Sequence, residues 1–114
     1  MNSDLETLNA IREAAGALID HAAGVDREAF DADRKTRSAV LFEIILIGEG
    51  VNRLSSDLLA SYPDIPWSAM VAMRNRVAHS FSALRFDIVW QVVRVHAPVL
   101  LADLDRIIAR EPTP

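Results

Sequence analysis

The stretch "AVLFEIILIGEGVNRL", residues 39–54, is apolar on two sides. At about 100° per residue, Val40, Leu41, Ile44, Ile47, Val51 and Leu54 form one helical stripe, which Leu58 continues. Ala39, Phe42, Leu46 and Gly50 form a second stripe on nearly the opposite side. A helix with two apolar sides is buried on both. Glu43 interrupts the run, which is also too short to span a bilayer, so it reads as a packed helix and not a membrane span.

Around this helix, predicted over residues 34–61 and ended by "SYPDIP", three more are expected. Residues 4–23 carry Leu5, Leu8, Ile11, Ala15, Leu18, Ile19 and Ala22 at helical spacing, with Ser3 or Asp4 placed to cap the start. "GVDREAFDADRK", residues 24–35, reads as a polar connection. Pro66 suits the first turn of a helix over residues 67–78. A last helix, over residues 88–109, has Asp87 as its cap and again shows two stripes. Val89, Val93, Leu100, Leu104 and Ile107 form one, and Ile88, Val95 and Val99 the other. Pro98 should kink it, because the ring removes a donor and crowds the carbonyl of Arg94.

The expected fold is all-α, an antiparallel bundle of four to five helices forming a single domain over residues 1–110, with residues 111–114 as a frayed tail. Four helices give too little perimeter to bury two sides of two of them, so the surplus stripes predict a homodimer. The competing reading is one broad core face.

The chain contains no cysteine, which excludes a disulfide framework, a thiolate metal site and a cysteine nucleophile. The N-terminus lacks the basic and apolar regions of a signal peptide, so a cytoplasmic protein without membrane association is expected. Its three histidines are dispersed without a carboxylate ligand pattern, and no metal or cofactor is expected. The formal net charge of -4 argues against binding nucleic acid through overall charge. That charge is uneven. Residues 1–33 are strongly acidic, whereas residues 74–96 sum to +3, from Arg74, Arg76, Arg85 and Arg94 against Asp87.

The basic segment opens with "MRNRVAHSF", residues 73–81. Asn75 and His79, four apart, share a helical face, while Arg74 and His79, five apart, are separated by about 140°. Arg74 and His79 converge either if the helix ends near His79 and the long arginine sweeps round, or if a dimer axis brings together residues of two copies. A histidine able to move a proton near neutral pH, beside an arginine able to hold a phosphate through two donors, suffices for RNA cleavage by the RNA's own 2′-hydroxyl. His79 then takes the 2′-hydroxyl proton or protonates the leaving oxygen, Arg74 stabilises the phosphorane-like transition state, and Asn75 orients imidazole or phosphate. The plainer alternative is that both are solvated or capping residues at a helix end.

Glu49 lies between Gly48 and Gly50, two glycines whose helix cost of about 1 kcal/mol each suggests a close approach by backbone or substrate. It forms an ion pair with Arg53, four residues on, or with another subunit, or else it helps place Arg74 or His79. Trp67 and Trp90 read as core or interface anchors, and His21 and His96 receive no site.

The order "ILIGEGVNRL", "YPDIPW", "MRNRVAHSF", "FDIVWQVV", "APVLLADL" resembles the HepT-like branch of the HEPN-domain ribonuclease toxins over residues 34–106. The resemblance implies an all-α dimer with a composite cleft and a metal-independent endoribonuclease whose motif is Arg, any four residues, His, any residue, Tyr. Arg74 and His79 match, with Asn75 at the polar position that often follows the arginine; Arg76, Phe81 and Glu49 are supporting or RNA-contacting candidates. It further implies a cognate partner, a minimal nucleotidyltransferase antitoxin that binds the toxin and adds AMP to the motif tyrosine.

Here that tyrosine is replaced by Phe81, which has no hydroxyl to accept an adenylyl group. Restraint by complex formation alone is the first expectation. Modification of another hydroxyl such as Ser80, or loss of both toxicity and control, are the others. Phe81 either stacks on a base or packs as an ordinary apolar residue. The runner-up function is a catalytically weak HEPN module that binds nucleotide or RNA and mainly complexes the nucleotidyltransferase.

Overall fold

The computed structural model describes residues 3–111, the side chain of Phe81 excepted. Every regular element among them is a helix, as the apolar periodicity predicts. Of the tail expected to fray, residues 112–114 lie outside the described residues. No helix among the described residues is long and apolar enough to cross a membrane.

Helix α1 (Ser3–His21) buries Leu8, Ile11, Ala14, Ala15 and Leu18. Asp4 lies inside it and does not cap it: its carboxylate accepts from the backbone and hydroxyl of Ser55, at 3.0 and 2.6 Å. With Asp4 near Ser55 and His21 against Glu43, α1 runs antiparallel to the long helix it packs on.

The expected polar connection contains a short helix, α2 (Arg27–Ala32), capped by Asp26. Its purpose is Phe30, fully buried, with its ring 5.1 Å from that of Trp90 and 6.4 Å from that of Phe86. One aromatic anchor among charged residues is enough to fold the segment onto the core.

The decisive stretch forms α3 (Arg34–Arg53), capped by Asp33. Hydrogen bonds from Thr36, the hydroxyl's first, hold the Asp33 carboxyl below its ordinary value. The helix predicted to continue to residue 61 stops at Arg53; Leu54 and Ser55 are extended, and a separate α4 (Ser56–Ser61) follows. Ser55 caps it by accepting from the Leu58 amide, while Asp4 holds Ser55 from the other side. Both Leu54 and Leu58 stay in the core across the break.

Helix α5 (Trp67–His79) begins directly after Pro66. Beyond it a short 3-10 turn (Phe81–Ala83) leads into α6 (Phe86–Gln91), a π-helical turn (Val92–His96) and α7 (Ala97–Arg110), which form one continuous rod. Asp87 is therefore within α6 and not its cap, and its carboxylate is held by Arg85. The disturbance expected at Pro98 takes the form of the wide turn: Pro98 lies in the first turn of α7, and the amide of Ala97 reaches back to the carbonyl of Val92. One extra residue per turn moves the backbone out of the register that the proline ring would block.

Helix α3 packs between α1 and α5, and α7 packs on α1. The predicted core stripe is buried from Val40 to Leu58, apart from the half-buried Leu41. Of the surplus stripes, Phe42 is 57% exposed, Leu46 39%, Val95 47% and Val99 57%. Gly50 departs from its stripe and faces Ile11 of α1. Between α5 and the α6–α7 rod an apolar groove of about 420 Å³ stays open, with Ile44 and Ile47 of α3 reaching into it.

Candidate functional site

Gly48 sets the site, because α3 and α5 cross there at very short range. A Cβ at this position would lie 2.2 Å from the Cβ of Arg74 and 3.2 Å from the carbonyl oxygen of Met70. Only glycine permits that approach, and it brings the next residue, Glu49, against the arginine. Glu49 Oε1 accepts from the Arg74 Nη2 at 3.3 Å, while Asn75 Oδ1 accepts from Nη1 at 3.0 Å. The Arg74 Nε is buried and has no hydrogen-bond partner among the described residues. Within the chain, and among the described residues, Glu49 thus pairs with Arg74 and not with Arg53.

Arg74 is consequently an oriented group. Its side chain is one-quarter exposed, and its guanidinium is held at two corners. Asn75 spends its side-chain oxygen on this arginine and makes no hydrogen bond to His79 among the described residues. His79 is the last residue of α5, exposed and without a hydrogen-bond or ion-pair partner among the described residues. The helix does end at His79, but Glu49 draws Arg74 toward α3, so the sweeping arginine is not what this protomer displays.

Arg76 points to the open side of α5, exposed and lining the groove together with Met73, Ile88 and His96. Phe81 opens the 3-10 turn; its side chain lies outside the described residues. Trp67 and Trp90 sit in or against the apolar core, and the Trp67 indole donates to the Tyr62 carbonyl at 3.1 Å.

One pair escaped the sequence reading. His21 Nε2 lies 2.9 Å from Oε2 of Glu43, the buried charged residue of α3. Their 22-residue separation carries no helical signal; a carboxylate amid Phe42, Ile44 and Ile45 was the available hint. Among the described residues no three His, Cys, Asp or Glu side chains cluster as metal ligands would.

The family model for ribonuclease HepT-like proteins matches residues 11–107, from α1 through the last helix. The chain belongs to the HepT-like ribonuclease family. Similar proteins include one described as a candidate RNase of Methanocaldococcus jannaschii, 30% identical over 80% of this chain and 75% of that protein. Another is a probable ribonuclease HepT of Thermococcus cleftensis, 27% identical over 92% of this chain and 96% of that protein. No solved structure matches the chain. In this HepT-like chain the Arg-to-His motif falls on the last turns and final residue of α5, and the glycine-flanked glutamate of α3 supports its arginine.

Proposed function

We propose that this HepT-like protein is a metal-independent endoribonuclease acting as the toxin of a toxin–antitoxin pair. The observation that carries the reading is an arginine hydrogen-bonded by Glu49 and Asn75 on the same helix end as an exposed histidine without a partner among the described residues. A positioned charge-stabilising group and a histidine whose ring nitrogens are not engaged by other described residues suit that chemistry.

In the proposed reaction the 2′-oxygen attacks the adjacent phosphorus while the bond to the 5′-oxygen breaks. His79 takes the proton from the 2′-hydroxyl or delivers one to the leaving oxygen, and Arg74 stabilises charge on the phosphorane-like transition state. The products are a 2′,3′-cyclic phosphate and a 5′-hydroxyl. Because Arg74 is turned toward α3, the cleft is completed by a second copy of the chain. Exposed Phe42, Leu46, Val95 and Val99 support that dimer, whose two-fold axis supplies a second His79 as the complementary acid or base.

The proposed partner is a minimal nucleotidyltransferase antitoxin that restrains the toxin by complex formation, since Phe81 offers no hydroxyl for AMP. Phe81 also favours a second reading, a HEPN module with weak catalysis that chiefly binds this partner. Purified protein incubated with RNA in EDTA separates the two. Fragments ending in cyclic phosphate and beginning with 5′-hydroxyl support the endoribonuclease; intact RNA, or cleavage that requires added metal, overturns it.

A further inference from the structure

A second cavity, of about 380 Å³, lies between the end of α5 and the start of α6. Its size falls within the ~300–1,000 Å³ of small-molecule sites. One part of its wall is apolar, from Met73, Leu84 and Ile88; the other is polar, from Arg76, Ser80 and Arg85. Arg76 has no hydrogen-bond or carboxylate partner among the described residues, so its guanidinium is open to an anion entering the cavity. Arg85 is oriented by Asp87, which binds its Nε at 3.2 Å and its Nη2 at 2.6 Å and leaves Nη1 uncommitted. Ser80 directly follows His79, and Arg76 lies three residues before it, so the polar wall brackets the proposed proton carrier.

We infer that this cavity takes one nucleotide of the RNA, with the base against Met73, Leu84 and Ile88 and the phosphate on Arg76, Ser80 and Arg85. It thereby selects the residue that flanks the cut. Single-stranded RNA is read in this way, by bases splayed out onto apolar surfaces and backbone phosphates held by cations and hydroxyls. The assignment rests on the ribonuclease reading above and extends it from the reacting groups to substrate choice. Neither the Arg74 cradle nor the dimer is needed to form the cavity, since one protomer supplies every wall.

The test uses the full chain and two variants, Ala83→Trp, which fills the cavity from the exposed 3-10 turn, and Arg76→Ala, which removes the Arg76 cation from the wall. Binding of the four nucleoside 5′-monophosphates and of a 2′-O-methyl oligonucleotide, which cannot be cut by 2′-attack, is measured alongside the positions at which RNA is cleaved. At least a tenfold weakening of both ligands in both variants is expected, with a changed preference at the cut site. If Ala83→Trp fails to fold, as its melting curve will reveal, Arg76→Ala carries the test. Unchanged binding and cut sites overturn the inference. Weaker monophosphate binding with unchanged oligonucleotide binding also overturns it, since the cavity would then serve a free nucleotide. If the parent cuts no RNA yet oligonucleotide binding falls in both variants, the ribonuclease reading fails while the cavity remains an RNA-nucleotide site.

Discussion

Gly48 and Gly50 lie two residues apart on α3 and face different helices. At Gly50 a Cβ would meet only the side chain of Ile11, 2.4 Å away, in the packed layer with α1. At Gly48 it would meet the Cβ of Arg74 and the backbone of Met70 on α5. The first contact is ordinary core packing, while the second places an arginine against a carboxylate. The same residue type at nearly the same position thus serves stability on one side of the helix and the site on the other.

The largest expected effect is at the site crossing. Gly48→Ala pushes two helices apart, since neither a Cβ nor a carbonyl can turn aside as a side-chain tip can. A loss of about 1–3 kcal/mol in urea unfolding is expected even after the better helix propensity of alanine. RNA cleavage should fall with it, because Arg74 leaves its place. Unchanged stability would mean that the close approach is not what fixes α5.

Gly50→Ala should cost less, because Ile11 alone has to shift, and the effect should depend on that residue. In the Ile11→Ala background the added methyl fills vacated space, so a double-mutant cycle should show coupling of about 0.5–3 kcal/mol. Strict additivity would break the assignment of Gly50 to α1 packing. RNA cleavage per folded molecule should be unaffected, in contrast to Gly48→Ala.

Glu49→Gln separates the two sides further. The pair with Arg74 is partly exposed, 43% for the glutamate side chain, so its removal should change stability by no more than about 1 kcal/mol. A loosened arginine should nevertheless slow cleavage roughly 10-fold to 100-fold. A stability loss without a rate change would make Glu49 a structural residue only.

The smallest effect concerns the start of α3. Asp33 has its folded pKa held below 3.8, first by the Thr36 hydroxyl bond, so its contribution is present above that value and is lost as pH falls through the folded one. Asp33→Ala should therefore flatten the acid end of the stability profile and leave cleavage near neutral pH unaltered.

The sequence discloses what depends on local periodicity. The helical class, the core stripe of α3, the start of α5 after Pro66 and the existence of a second apolar stripe through Phe42, Leu46, Val95 and Val99, outside the core of this chain, all follow from spacing. What it conceals depends on distant partners. "LSSDLL" continues a helical pattern, and the break at Ser55 is fixed by Asp4, 51 residues away. Phe30 folds α2 because Trp90 receives it. The glycines flanking Glu49 pointed to a close approach and left Arg53, another subunit, Arg74 and His79 as its possible partners, and the crossing at Gly48 is what selects Arg74. The motif itself was legible as residue types, but the orientation of Arg74 toward α3 was not.

The most direct test compares RNA cleavage by the parent and by His79→Ala under identical conditions, with melting curves to establish that both are folded. His79 is exposed and without a partner among the described residues, so stability should change by no more than about 0.5 kcal/mol. The predicted result is a rate lower by about 10²–10⁴-fold. Cleavage by His79→Ala at the parent's rate would contradict the site.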